Sequence, residues 1–411
     1  MIEPTEHEQT LLSSFAPVRS FLDDPSVREI MINGPHQIYI DRGGCLELTE
    51  ASFGNVELLT GALRNLSRRS GAPGDLKYPV LEGRLPDGSR VEALLPPASP
   101  DGPTVRIRRI AREPLSMDRL VSLDALTPLA AQTLAALVAG KVNILVAGAS
   151  GSGKTSMLNA LTGLVPEGER MVVIQESREV KPQRRHLVHL ETRRSDAQKH
   201  GEITMRELLR AALRMRPDRV VVGDIRGGEA LEVIQAMITG QGGCMGTLHA
   251  HYLKDTLPHL ETMIMMSDCG LPQAVIRAQA ATAVQLIVQM ARLQDGARKV
   301  THISEVAGYD IDRQAYRVRD LFVRDGFGAD TQNRSGSALR PCDVLPTCAS
   351  QLAERGVSLP REFIAEAGAV PEDAISFPHR AAVVPVFIGE WKDRHVTYGL
   401  VESSDEPSAA K

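Results

Sequence analysis

Eight consecutive residues, Gly148–Thr155 (GASGSGKT), match the pattern G-x-x-x-x-G-K-[ST] in full. Gly148, Gly151 and Gly153 let the backbone wrap until its N–H groups point inward at an anion, with Ser150 and Ser152 completing the loop. Lys154 then has the reach for β- and γ-phosphates, and the Thr155 hydroxyl suits Mg²⁺. Carboxylates stand at the ends of two apolar runs: Asp224 closes RVVVGD, and Glu176 and Glu179 follow MVVIQ. Asp224 suits an acid that holds Mg²⁺ directly or through water; Glu176 and Glu179 read equally as catalytic or as solvated loop carboxylates. His249 and His251 in CMGTLHAH alternate, so on a strand they share one face, and His249 is placed to sense a γ-phosphate. Arg84, Arg90, Arg106 and Arg108 cluster early in the chain. Solvated arginines are the plain reading, but a guanidinium fork is also how one domain reaches over a triphosphate held by another.

These groups need elements to hold them. The run Val142–Ala147 has the length and β-branching of a buried parallel strand, and Met157, Leu158, Leu161 and Leu164 recur at helical spacing after the glycine loop. Strand, glycine loop and helix together make the phosphate reading specific, so the chain is expected to bind a nucleoside triphosphate. Met171–Glu176, Arg219–Arg226 and Cys244–His251 read as further strands, with helices over Thr127–Ala139, Met205–Met215 and Glu229–Thr239. Thr282–Met290 and Val300–Val306 continue the alternation, which fades near residue 325 and describes a three-layer α/β sheet. Ahead of it, His7–Leu22 reads as one amphipathic helix, Glu29–Asn33 and Gln37–Asp41 as a hairpin, and Val56–Leu66 as a second helix. Arg84–Pro97 and Pro103–Ile110 add strands, giving a small α+β domain over residues 1–110. Residues 111–126, with Pro114 and few apolar repeats, read as a linker. A nucleotide-binding α/β domain over 127–325 and a partly ordered extension over 326–411 complete the expected division. In that extension Phe327–Gly336 reads as a loop and Leu345–Ala367 as broken helix. Val383–Ile388 and His395–Val401 read as a strand pair, and Glu402–Lys411 as a polar tail.

A chain of 411 residues, 43% hydrophobic and 24% charged, is long enough for two or three ordinary domains. A net charge of −4 and 4% aromatic residues, without an aromatic-basic stripe, argue against a nucleic-acid translocase. MIEPTEHEQT lacks a basic start followed by an apolar core, so no signal peptide is expected, and no apolar run is long enough to span a bilayer. The scattered cysteines form no CxxC pair and indicate neither a disulfide framework nor a zinc knuckle.

With these pieces in order, the chain resembles the secretion ATPases of the type II/type IV superfamily, most closely the branch that drives Tad (Flp) pilus assembly. The resemblance runs from about Asp23 to Val323. It rests on EIMINGPHQIYID, RLPDGSRVEALLPP, the phosphate loop, LRMRPDRVVVGDIRGGEAL, QAMITGQGG and GTLHAH. It implies a RecA-like P-loop NTPase core preceded by a small α+β N-terminal domain. It further implies a hexameric ring on the cytoplasmic face of the inner membrane, working with membrane platform proteins and reaching the bilayer only through them. ATP and Mg²⁺ would lie between the domains, with Arg84, Arg90 and Arg108 closing on the phosphates. Two positions depart from the pattern. Where the family carries Ile-Glu-Asp, this chain reads Ile174-Gln175-Glu176, and where it carries a Walker B glutamate, this chain has Asp224. An amide cannot take a proton at neutral pH, and Glu176 is expected on the opposite strand face from Gln175. The departures imply slow hydrolysis, to be restored by Gln175→Glu. A motor ATPase is the leading reading; a nucleotide-gated structural or regulatory ring subunit with little hydrolysis is the second.

Overall fold

Ala16 and Pro17 interrupt the apolar pattern near the start of the chain, and the structure breaks there. The computed structural model describes residues 6–42, 44–70, 79–109, 114–193, 195, 200–239, 242–327 and 338–366. In place of one helix it has α1 (Glu6–Ser14), a 3-10 turn (Ala16–Val18) and α2 (Arg19–Asp23). Pro17 lacks the N–H that a continuing helix needs. Leu11, Phe15, Val18 and Leu22 stay buried despite the break.

These turns and α3 (Val56–Ser70) cover a six-stranded antiparallel sheet. Its strands are β1 (Val27–Asn33), β2 (Gln37–Arg42), β3 (Cys45–Leu48), β4 (Val80–Arg84), β5 (Arg90–Leu94) and β6 (Thr104–Arg108), in the order β3-β2-β1-β6-β5-β4. Ile30, Ile32, Ile38, Ile40, Val91, Ala93, Val105 and Ile107 share one buried core with Leu59, Leu63 and Leu66 of α3. Period-2 alternation leaves the other face to charged residues. Register sets them in rows: Arg84 opposes Arg90, Arg90 opposes Arg108, and Arg108 opposes Glu29.

Part of the segment expected to be a linker is helical. Ser116 caps α4 (Met117–Ser122) by accepting from the Arg119 N–H, and Met117 and Leu120 are buried. The elements that follow are α5 (Pro128–Ala139), β7 (Ile144–Gly148), α6 (Lys154–Gly163), β8 (Met171–Gln175), β9 (Leu187–Glu191), α7 (Met205–Leu213), β10 (Arg219–Ile225) and α8 (Ala230–Thr239). Then come β11 (Met245–His249), α9 (Leu253–Met265), α10 (Gln273–Ala283), β12 (Leu286–Arg292), β13 (Arg298–Asp310), β14 (Ala315–Arg324) and β15 (Leu339–Pro341). The sheet runs β15-β14-β13-β12-β7-β11-β10-β8-β9. The six strands from β12 to β9 are mutually parallel, and β13 to β15 are antiparallel. Ile144 and Val146 of β7 face a core shared with α5 and α6, while Leu145 and Ala147 face one shared with α8 and α9. Burial on both faces explains why the central strands are unbroken apolar runs.

Residues 339–366 return to this core. Helices α11 (Ala349–Glu354) and α12 (Arg361–Glu366) follow β15, and Phe363 stacks on Phe322 with ring centroids 5.1 Å apart. A Cβ on Gly140 would meet Leu352 at 1.9 Å, so α5 ends where α11 packs. The expected loop over residues 328–336, the strand pair at 383–388 and 395–401, and the polar tail lie outside the described residues.

Candidate active site

Strand β7 is buried throughout and delivers Gly148 at its end. A Cβ there would meet Ser152 Oγ at 2.4 Å and the Met290 carbonyl at 2.5 Å, so only glycine lets the loop fold back this closely. Gly153, in the left-handed region at φ 102°, caps α6, whose first residue is Lys154. Lys154 Nζ donates to the carbonyls of Gly148 (3.0 Å) and Ala149 (2.9 Å) and stands 3.5 Å from His249 Nδ1. Burial pulls this ammonium down to about 8; Asp224 opposes the shift, and Arg108 and Arg226 add to it.

Strand β10 loses register with β11 between Val222 and Ile225, at Gly223 and Asp224. Gly223 sits under Gln175, whose Cβ would lie 2.8 Å from a Cβ added there. Asp224 Oδ2 accepts from Arg226 at 2.7 Å and lies 3.7 Å from His249 Nε2. Burial, Lys154 and Arg226 lower the His249 pKa against the pull of Asp224, so the imidazole is neutral at pH 7. Asp224 Oδ1 and Ser152 Oγ are buried without a hydrogen-bond partner among the described residues. Buried oxygens rarely stay unpartnered. One such oxygen within the loop and one on an acid that acts on Lys154 fit a triphosphate with a hard, oxygen-loving cation such as Mg²⁺. His251 lies beyond the end of β11 and packs edge-on against Tyr252, so the two histidines do not share a strand face.

The acids after β8 separate into different jobs. Gln175 is buried: its Nε2 donates to the Val180 carbonyl (3.1 Å) and its Oε1 accepts from the Val180 N–H (2.9 Å). This two-way clamp needs an amide, because a carboxylate cannot donate. The amide at 175 therefore has a structural use, which a glutamate at that position would lose. Glu176 pairs with Arg226 at 3.4 Å. It is Glu179, not Glu176, that comes to the phosphate loop, with Oε2 3.5 Å from Thr155 Oγ1. Asn159 fixes this approach by donating to the carbonyls of Glu179 (3.0 Å) and Thr155 (3.1 Å).

Two members of the arginine row reach this acid loop. Arg84 donates to the Glu176 carbonyl at 3.0 Å and pairs with Glu191 at 3.4 Å, and Arg108 stands 3.6 Å from Glu179 Oε1. Arg90 lies between them in the row but pairs with Glu82 (3.2 Å) and Glu92 (3.1 Å) of its own sheet. Arg106 likewise pairs with Glu29 at 2.5 Å. Like charges in direct register destabilise a sheet, so this row must be met by anions.

A model of the type II/IV secretion system protein family matches residues 12–332, most of the chain and both of its sheets. The chain belongs to this family. Among secretion-family relatives, it is 33% identical over 339 residues to the type IV secretion system protein PtlH of Bordetella pertussis, covering 75% of this chain and 94% of that one. It is 31% identical over 294 residues to the conjugal transfer protein TrbB of Rhizobium radiobacter, covering 70% and 86%. Against the solved VirB11 ATPase of the Brucella suis type IV secretion system the identity is 26%, over 72% of this chain and 95% of that one, with a TM-score of 0.38. The parallel strands order as β12-β7-β11-β10-β8-β9, of which the first five have the RecA-like arrangement, and the phosphate loop follows β7, the middle strand of the nine-stranded sheet.

One contact in this secretion-family site was not read from the sequence. Arg298, at the start of β13, donates through Nε to the Gly151 carbonyl at 2.8 Å and so braces the outer side of the phosphate loop. Its guanidinium is pulled down to about 10 by burial and by the neighbouring Arg28 and Arg292, with Asp41 opposing. Its spacing after the exposed turn Asp295–Gly296 carried no signal, because only the pairing of β12 with both β7 and β13 brings it there.

Proposed function

We propose that this secretion-family protein is an ATP-hydrolysing motor of a bacterial secretion or type IV (Tad) pilus assembly system. It works as a homo-oligomeric, hexameric ring at the cytoplasmic face of the inner membrane, against membrane platform proteins. The observation that carries this reading is that Arg84 and Arg108 of the small sheet touch the acid loop that stands beside Thr155 of the large one. ATP lies on Gly148–Thr155, with Lys154 on its β- and γ-phosphates. Thr155 and Asp224 would hold Mg²⁺, which would supply charge neutralisation for the phosphate oxygens. Glu179 orients the attacking water, His249 senses the γ-phosphate as a neutral imidazole, and Arg84 and Arg108 neutralise charge that grows in the transition state. Loss of that charge on product release loosens the arginines, and the sheets part.

Turnover is slow in this reading, because Asp224 is one methylene shorter than glutamate and its Oδ2 is held by Arg226. The same tie favours a second reading, a ring subunit gated by nucleotide that scarcely hydrolyses it. Nucleotide affinity and steady-state phosphate release measured on one sample decide between them. The motor reading expects turnover that Arg226→Ala raises; tight binding with no release above background, before or after that change, would favour the gated subunit. Failure to bind ATP would discard both.

A further inference from the structure

The second half of the connection from β8 to β9, after the acid loop, runs on into β9 without a carboxylate until Glu191. Val180–Leu190 holds Lys181, Arg184, Arg185, His186 and His189 and no acidic residue, within a chain of net charge −4. It lines an open depression of about 540 Å³ with Arg178, Lys181, Gln183, Arg184, Leu187 and His189, of which Arg178 and Gln183 are exposed. No carboxylate lines it, and Arg178, Lys181 and Arg184 form no ion pair among the described residues. Of the neighbouring acids, Glu191 pairs with Arg84 and Glu169 with Arg219 and Lys141, while Glu167 and Glu169 act on Arg184 through charge without an ion pair to it.

The hollow is held in shape by backbone contacts. Arg184 is pinned to the end of α6, donating through Nε to the Thr162 carbonyl (3.3 Å) and through Nη1 to the Pro166 carbonyl (2.7 Å). Lys181 is set by its N–H on Asn159 Oδ1 at 2.8 Å. His189 Nδ1 is buried and has no hydrogen-bond partner among the described residues. Three cations and an unpartnered imidazole nitrogen around a volume of this size describe a receptor for an anion with several acceptor oxygens.

We propose that this hollow is a second anion site, separate from the phosphate loop, which takes a phosphate-bearing group through Arg178, Lys181, Arg184 and His189. A free polyphosphate and the headgroup of an anionic lipid offer the same chemistry. The site does not depend on ATP hydrolysis.

The test uses the full chain carrying Lys154→Ala, which removes the lysine of the phosphate loop. Sodium pyrophosphate is titrated calorimetrically without Mg²⁺, and flotation is measured with phosphatidylglycerol vesicles against neutral phosphatidylcholine vesicles. Arg178→Ala with Lys181→Ala is then added, with the melting temperature as the check on folding and the exposed Arg178→Gln alone as the milder variant. Pyrophosphate binding that the added substitutions weaken tenfold or more supports a free phosphate ligand. Capture by phosphatidylglycerol vesicles alone, lost on the same substitutions, supports the headgroup. Binding of neither probe, or binding that the substitutions leave unchanged, overturns the proposal.

Discussion

The two sheets carry their charges in different ways. In the large sheet the central strands are buried on both faces, and ionisable groups gather where the strands end: Lys154 after β7, Asp224 at the end of β10, His249 at the end of β11. In the small sheet one face is wet, and the charges lie across it in register, Arg84 beside Arg90 beside Arg108. A strand end can present a group to a ligand without repulsion from its neighbours. A row of like charges across paired strands is tolerated only when something anionic faces it. The large sheet therefore supplies a site by itself, whereas the small sheet's arginines divide: Arg90 and Arg106 are met by Glu82, Glu92 and Glu29 of their own sheet, and Arg84 and Arg108 by the acid loop, Glu191 and, in the proposed reaction, a triphosphate.

That contrast can be broken at several points. The largest effect is expected at Glu179. Glu179→Gln removes the carboxylate beside Thr155 and should lower phosphate release on the order of 10²-fold or more, whereas Glu176→Gln, whose partner is Arg226, should lower it less than about tenfold. Equal effects would erase the distinction between the two acids.

The arginine row comes next. Arg84→Ala and Arg108→Ala should each reduce kcat by roughly 10–100-fold with little change in melting temperature, the pattern of charge met only in the transition state. Arg90→Ala should leave kcat within about threefold and cost about 1 kcal/mol or less, since it removes only its pairs with Glu82 and Glu92. Thermal melts and steady-state kinetics on the same variants separate the two outcomes.

Gln175→Glu tests the buried end of β8. A carboxylate there confronts the Val180 carbonyl and should destabilise the fold by about 1–3 kcal/mol without raising turnover. A gain in turnover would return Gln175 to the reaction.

The smallest expected effect is in pH. Burial holds Lys154 at about 8 in the free protein, and a triphosphate favours its charged form. Below that value the lysine is already protonated and affinity for a non-hydrolysable ATP analogue should be flat. Above it, binding must take up a proton, and affinity should fall by up to about tenfold per pH unit until the pKa of the bound state is reached. Fluorescence titrations from pH 7 to 9.5 measure this, and a flat profile would mean that Lys154 does not meet the phosphates.

How much of this was legible depended on whether the signal was local. The phosphate loop, the parallel strands beside it and the acid Asp224 are written in short windows, because apolar runs and glycine spacing have direct physical readings. So is the resemblance to the secretion family, which rests on contiguous motifs. What stayed hidden came from register and long-range packing. Strand β9, LVHLE, is short and follows directly on the basic run KPQRRH, and helix α9 carries Pro258 within it, so neither shows a clean period. That Arg84 and Arg108 reach the acid loop while Arg90 turns to its own sheet follows from strand pairing across residues far apart in the chain. The choice of Glu179 over Glu176 follows from Asn159 and from the Gln175 clamp on Val180. Neither contact leaves a mark in a single strand pattern.

The central claim is that the wet face of the small sheet closes over a triphosphate held by the loop of the large one. A structure with ATP and Mg²⁺ bound, solved with Glu179→Gln to hold the substrate, measures this directly. Residue 179 and the guanidinium groups of Arg84 and Arg108 should all lie within hydrogen-bonding reach of the γ-phosphate or of the water attacking it. If the nucleotide sits on Gly148–Thr155 while Arg84 stays on Glu176 and Glu191, Arg108 does not reach the phosphates, and residue 179 points elsewhere, the two sheets do not share a site.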